Sequence, residues 1–169
     1  IAKINIGKTS TNPSVGCVVV KNNSVISSGI TSFRGRPHAE YNALNKREIL
    51  TKSDLYVTME PCTHHGLTPP CTDLIIKKKI RKVFFAFNDV DKRTENQAKI
   101  KLNKRNIKVF KKKINFFKDF YKSYYLSRQK KIPLIDAKIA LSKDYFRLNK
   151  KKKWITNVKS RIRAHLIRS

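Results

Sequence analysis

Leu55-Tyr56-Val57-Thr58-Met59-Glu60-Pro61-Cys62 is a β-rich run that ends in a proline and a cysteine, and after an eight-residue gap Pro70-Cys71 opens a helical run. Upstream, Pro37-His38-Ala39-Glu40 opens another helix. One imidazole and two potential thiolates are three ligands for zinc, which leaves the fourth tetrahedral position open for water. Zinc lowers the pKa of such a water towards ~7, and Glu40, two residues from His38, can carry its protons. A structural zinc site would close all four positions.

Working outward, residues 1–7 read as the tail of a helix, and the missing initiator Met suggests that the chain starts partway through its first element. Residues 15–20 and 25–30 are β-rich and joined through Lys21-Asn22-Asn23-Ser24, a hairpin signal. Pro37 suits the first position of a helix over 38–46. Downstream, the spacing predicts a helix over 71–79, a strand over 83–87, a helix over 96–103 and a strand over 107–110. Such β–α alternation implies an α/β domain with helices on both faces of a mostly parallel or mixed sheet. Residues 116–126 read as an aromatic-rich amphipathic helix. The basic stretch 128–131 before Ile132-Pro133 reads as a linker, so 1–127 form one domain and 128–133 a linker. Beyond it 134–141 is strand-like and 157–167 helical. The remaining segment, 134–169, is too short for an independent core of normal size and is an appendage or the first piece of a second domain.

The chain has 169 residues, with 39 Lys+Arg against 11 Asp+Glu and a net charge of +28. Such a balance usually points to nucleic acid. Here the lysines are scattered through every segment and accompany many Ile and Asn, as in chains from AT-rich genomes, so no nucleic-acid partner is expected. No apolar run approaches the ~20 residues that cross a bilayer, and no secretory segment precedes the first strand. A soluble, cytoplasmic protein is expected, with no membrane partner. Three cysteines are too few and too oddly spaced for a disulfide framework. Cys17, inside Val15-Gly16-Cys17-Val18-Val19-Val20, reads as a small core hydrophobe.

His38 and Cys71 both stand where helices open, and the N–H groups and helix dipole there stabilise thiolates and hydroxide. Hydroxide attack on an amidine-like ring carbon suits such a site, with Glu40 passing a proton to the ring nitrogen and then to departing ammonia. His64 and His65 lie in the same loop, and either could close the site as a fourth, structural ligand. Glu40 would then have no evident task.

These motifs resemble the zinc deaminases of the cytidine deaminase superfamily, which pair His-x-Glu with Pro-Cys-x-x-Cys. The longer form here, Glu60-Pro61-Cys62-Thr63-His64-His65-Gly66-Leu67-Thr68-Pro69-Pro70-Cys71, resembles the deaminase domain of the RibD family of bifunctional riboflavin-biosynthesis enzymes. Asn12-Pro13-Ser14-Val15-Gly16-Cys17 and Gly35-Arg36-Pro37-His38-Ala39-Glu40 match it as well. The resemblance implies a three-layer α/β/α cytidine deaminase-like fold with a central mixed sheet. It further implies Zn2+ on His38, Cys62 and Cys71, with Glu40 as the catalytic acid/base. The implied substrate is 2,5-diamino-6-ribosylamino-4(3H)-pyrimidinone 5′-phosphate, deaminated at ring carbon 2. Asn12 would then recognise the base, while His65, Asp89 and Asp91 border the ribose phosphate. A homo-oligomer is also implied.

The tail resembles the start of the family's reductase domain, of dihydrofolate-reductase-like fold. Asp136-Ala137-Lys138-Ile139-Ala140-Leu141-Ser142 is similar to its opening strand, Trp154-Ile155-Thr156 to its next motif, and residues 161–168 to the helix that follows. By this resemblance Leu141 and Trp154 would touch NADPH and Arg168 the reductase substrate. With most of that domain absent, neither NADPH binding nor reduction of the ribosyl group is expected of this chain. The chain departs from the family pattern in places. Leu67 stands where the family usually carries Lys or Arg, and Asn88-Asp89-Val90-Asp91-Lys92-Arg93 replaces a Pro- and Gly-bearing loop. Lys143 and Tyr145 replace the usual Leu and Gly around Asp144. The competing readings are a tRNA or nucleoside deaminase of the same superfamily and a basic nucleic-acid-binding protein with a structural zinc.

Overall fold

A computed structural model describes residues 1–45, 50–137, 139–141, 143, 145 and 155–168, with the side chains of 166–168 excepted. It divides into two compact units, Ile1–Pro133 and Leu134–Ser169.

The first unit is built on a five-stranded sheet in the order β2-β1-β3-β4-β5. The strands are β1 (Gly16–Lys21), β2 (Ser24–Ile30), β3 (Asp54–Met59), β4 (Lys82–Phe87) and β5 (Lys108–Lys111). β1 runs antiparallel to both β2 and β3, whereas β3, β4 and β5 are mutually parallel, so the sheet is mixed. The β1–β2 hairpin turns on Asn22 and Asn23, both left-handed at φ 49° and 59°. That is the type I′ turn for which Asn is suited. One parity of strand residues (Cys17, Val19, Leu55, Val57, Val83, Phe85 and Val109) forms the core with Ala39, Ala43, Leu44, Ile75 and Leu102. Those last five lie on α1 (Ala39–Leu44), α2 (Cys71–Lys77) and α3 (Gln97–Asn103). The opposite parity stacks Tyr56, Phe84 and Phe110 in register, with ring centroids 4.7 and 5.1 Å apart. That face meets α4 (Phe116–Phe120) and α5 (Lys122–Tyr125). Helices therefore cover both faces of the sheet, in a three-layer α/β/α arrangement.

Two details set the position of α1. A Cβ on Gly29 would come within 2.3 Å of the Ala39 carbonyl oxygen, so only glycine lets the helix lie this close to β2. The Asn42 amide then donates to the Ile30 carbonyl at 2.7 Å and to Ser32 Oγ at 2.8 Å.

Several elements differ from expectation. Residues Ala2–Asn5 form a 3-10 turn in place of the expected helix tail. His38 is the N-cap of α1, with extended φ/ψ of −69° and 160°, so Pro37 lies outside the helix and not at its first position. The far end of that expected helix, Lys46, lies outside the described residues. The aromatic helix expected over 116–126 breaks at Tyr121, which leaves helical geometry at φ −97° and ψ 9°. Its hydroxyl is held at 2.6 Å from Thr58 Oγ1 and donates to the Ser14 carbonyl, which fixes the break against β3. A π-type turn, Leu126–Lys130, follows α5 where the linker was expected to begin.

In the second unit the described residues of 134–141 pair with no strand, and Ile135 and Ile139 are largely exposed. The strand-like reading of 134–141 is therefore not met by strand pairing among the described residues. The helix α6 (Val158–Arg168) forms as expected, with the Ser160 N–H donating to Asn157 Oδ1 at 2.8 Å. Among the described residues, no helix is long and apolar enough to cross a membrane.

Candidate metal centre and active site

β3 ends at Met59, and its C-terminal extension delivers Glu60, Pro61 and Cys62 to the rim of the sheet. α1 and α2 begin at the same rim, so their first residues converge there. His38 Nδ1 lies 3.7 Å from Cys62 Sγ and 3.4 Å from Cys71 Sγ. All three ligand atoms fall within 4.8 Å of one another. Tetrahedral zinc with ordinary bond lengths would separate an imidazole nitrogen and a thiolate sulfur by about 3.6 Å. The three side chains therefore fit a tetrahedral metal, and their N/S donor set suits zinc.

Backbone bonds hold this geometry. The Cys71 N–H donates to Cys62 Sγ at 3.2 Å. The buried Thr72 donates both its N–H and its hydroxyl to the Cys62 carbonyl, at 3.2 and 3.1 Å. Hydrogen bonding from the Cys71 thiol, aided by His38, holds the Cys62 thiol down to about 4. Donation to Cys62 and burial push Cys71 well up. The hydrogen bond to Cys62 also raises the His38 imidazole, against the lowering effect of burial.

Glu40, in the first turn of α1, is only 4% exposed. Burial raises its carboxyl to about 7, with the Cys62 charge adding to the effect. It is hydrogen-bonded to Cys71 and stands outside the His38/Cys62/Cys71 cluster of possible ligands.

A cavity of about 190 Å³ opens over His38, Glu40 and Cys62. Asn12 lines it, and its amide donates to the Gly35 carbonyl at 2.9 Å. Gly35 is left-handed at φ 86°, and a Cβ there would meet Asn12 Nδ2 at 2.7 Å, so glycine permits the approach. Asp89 and Asp91, from the loop after β4, line another wall. Asp89 is buried and accepts from the Asp91 N–H at 3.0 Å and the Tyr124 hydroxyl at 3.1 Å. Burial raises its carboxyl. Asp91 is bridged to Arg93, which holds its carboxyl well below the usual carboxylate range.

His65 is the expected residue that the structure sets apart from the cavity. Its side chain is 77% exposed and faces Asp73 at 3.9 Å. His64 lines the cavity in its place, with Nδ1 held 2.9 Å from Thr94 Oγ1. Neither histidine belongs to the cluster of possible metal ligands found among the described residues. Of the three reductase-site expectations, Leu141 is 44% exposed, Trp154 lies outside the described residues, and so does the side chain of Arg168.

Sequence reasoning missed Arg36, Thr68, Tyr124 and Arg128, all of which line the cavity. Arg128 donates to the Thr11 carbonyl at 3.1 Å and stacks 5.8 Å over Tyr124. The four-residue spacing of Tyr124 and Arg128 on one helical face was the available signal. Glu60 was read only as part of a motif. It is buried, and its carboxylate accepts the N–H groups of Asn96 and Ala98, both at 3.1 Å, tying the Cys62 segment to the start of α3.

A family profile described as the cytidine and deoxycytidylate deaminase zinc-binding region matches residues 2–87, just over half of the chain. The chain belongs to that deaminase family, among its riboflavin-biosynthesis members. A diaminohydroxyphosphoribosylamino-pyrimidine deaminase from Buchnera aphidicola is 39% identical over 110 residues, covering 64% of this chain and 75% of the relative. Riboflavin biosynthesis protein RibD from Actinobacillus pleuropneumoniae is 35% identical over 175 residues, 99% of this chain and 46% of the relative. A crystal structure of the deaminase/reductase from Thermotoga maritima superposes with a TM-score of 0.90 at 36% identity, covering 99% of this chain and 49% of that one. The chain thus spans about half the length of these bifunctional relatives. Residues 2–87 carry all four members of the His38/Glu40/Cys62/Cys71 group, so the deaminase family match and the geometric site coincide.

Proposed function

We propose that this protein is a zinc-dependent hydrolytic deaminase of 2,5-diamino-6-ribosylamino-4(3H)-pyrimidinone 5′-phosphate, acting in the cytoplasm in riboflavin biosynthesis and assembling as a homo-oligomer. The observation that carries the reading is the trio of possible ligands, His38, Cys62 and Cys71, beside the buried carboxylate of Glu40, with His38, Glu40 and Cys62 lining a cavity. Its family membership and its likeness to named pyrimidine deaminases support the substrate class.

Zinc bound by His38, Cys62 and Cys71 supplies Lewis acidity that makes water nucleophilic near neutral pH. Glu40 performs the proton work. Burial brings its carboxyl to about 7, within the range where a general base takes a proton readily and returns it. Its carboxylate would take a proton from the attacking water and deliver it to the ring nitrogen. A second transfer, to the exocyclic amine, lets the C–N bond break as the carbonyl forms, releasing ammonia. Asn12, its amide N–H engaged by Gly35, keeps its carbonyl oxygen to meet the exposed edge of the base.

Ammonia release from the zinc-loaded protein offered the diaminopyrimidine ribotide, cytidine and tRNA tests the reading. Release from the ribotide alone is expected; release from tRNA alone would overturn it. Sedimentation velocity checks the assembly state, with a single species larger than the monomer expected.

A further inference from the structure

Three guanidinium groups, Arg36, Arg93 and Arg128, reach the cavity over the metal site. They are not equivalent. Arg93 is doubly bonded to the Asp91 carboxylate, which cancels its charge. Arg128 donates to a carbonyl and stacks on Tyr124. Arg36 is half-buried, and among the described residues it donates to a neutral hydroxyl, Thr68 Oγ1, at 3.0 Å. Among the described residues no carboxylate pairs with it. A guanidinium carries five N–H donors in a rigid fork, so Arg36 keeps most of its donors and all of its charge.

The platform beneath it is also suited to an anion. Gly66 has no side chain, and a Cβ there would sit 3.8 Å from Arg36 Nη2, so the guanidinium rests against the bare 66–68 loop. Thr68 accepts from Arg36 and retains its own O–H to donate. The carboxylates of Asp89 and Asp91 also line the cavity, and they would repel a phosphate and accept hydroxyl donors instead. Leu67, between Gly66 and Thr68, is 88% exposed and supplies no charge.

We propose that Arg36, seated on Thr68, is the anchor for the 5′-phosphate of the substrate, so that the ribotide lies with its phosphate on the Arg36–Thr68 wall and its ribose hydroxyls towards Asp89 and Asp91. The proposal rests on the deaminase reading for the identity of the substrate. The anion site itself depends only on the geometry of Arg36 and Thr68. A forked, charge-assisted contact of this kind discriminates strongly between a phosphate and the bare hydroxyl.

The test compares ammonia release from the ribotide and from its dephosphorylated riboside. Arg36→Ala lowers the ratio of kcat/KM for ribotide over riboside by about 30-fold, chiefly through KM for the ribotide. Adding Leu67→Lys to Arg36→Ala puts a cation back on the same loop and recovers at least about threefold of that ratio. An equal loss on both substrates would assign Arg36 a structural role and overturn the anchor, as would an unchanged ratio. Binding of ribose 5-phosphate, followed by calorimetry, needs no turnover. The zinc-loaded wild type binds it about tenfold more tightly than Arg36→Lys, whose ammonium cannot fork. Arg36-dependent binding without ammonia release from the ribotide would sink the deaminase reading and leave the anchor standing. Release with no dependence on Arg36 would do the reverse.

Discussion

The floor and the rim of the cavity are built in different ways. On the floor, His38, Glu40, Cys62 and Cys71 come from the ends of a strand and two helices, and a lattice of backbone bonds through Cys71, Thr72 and Asn42 holds them. On the rim, Arg36, His64, Asp89, Asp91 and Arg93 come from loops and are held by side-chain bonds, Arg36 and His64 to residues of other loops and Asp89, Asp91 and Arg93 within their own. Chemistry therefore rests on regular structure and recognition on irregular structure. Substitutions on the floor should abolish a function outright, whereas those on the rim should tune it.

The sharpest way to break this contrast is Glu40→Gln. Turnover should fall by at least about 10³-fold while the zinc content by mass spectrometry stays at that of the wild type. Loss of the metal instead would make Glu40 part of the ligand set and erase the division of labour on the floor. Cys71→Ala comes next, since it removes a ligand. Zinc content should drop to under about a tenth of the wild-type value and activity with it. Far-ultraviolet circular dichroism should change little, because the core of Val19, Leu55, Val83 and Leu102 forms without the metal.

Glu60→Ala tests the tie between floor and rim. It strands the N–H groups of Asn96 and Ala98, and chemical denaturation should show a loss of about 2–3 kcal/mol. Asp91→Asn, on the rim, should give the smallest effect, about 0.5 kcal/mol, since its partner Arg93 is 60% exposed. The sign with pH follows from the direction of the shift. Arg93 depresses the Asp91 carboxyl in the folded state, so its contribution is present above the ordinary value of ~3.9 and disappears as pH falls through the lower folded value. Wild type and Asp91→Asn should therefore converge in stability in strongly acidic solution and separate above about pH 4.

The same division explains what could be read from the sequence. The floor was legible because its residues sit at fixed offsets from the start of a helix or the end of a strand, and those starts carry local signals such as Pro70-Cys71. The strands were legible from β-branched and aromatic runs. The rim was legible only in part: Asp89 and Asp91 were expected there, whereas the contacts of Arg36 and His64 join residues distant in sequence through loop geometry. Which of His64 and His65 faces the cavity depends on the path of an irregular loop, and no periodicity governs it. Arg36 reaches the cavity because Gly35 takes φ 86° and because Thr68 lies opposite, more than thirty positions on. The break at Tyr121 was hidden for a similar reason. An aromatic-rich amphipathic pattern continues through it, while the hydroxyl bonds to Thr58 and Ser14 that impose it come from strands far upstream. The tail misled because a strand-like run forms a strand only where another strand lies alongside.

β5 carries a consequence for the charge that the chemistry left without a task. It is four residues long and stands at the open edge of a sheet whose inner strands are strongly apolar. Its sequence, Lys108-Val109-Phe110-Lys111, brackets two apolar residues with lysines, and Lys112 and Lys113 follow at once. An exposed edge of backbone donors and acceptors invites a strand from another molecule, and clustered lysine is a common deterrent. The lysines of this segment thus act as a guard against edge-to-edge aggregation, keeping the last strand the last.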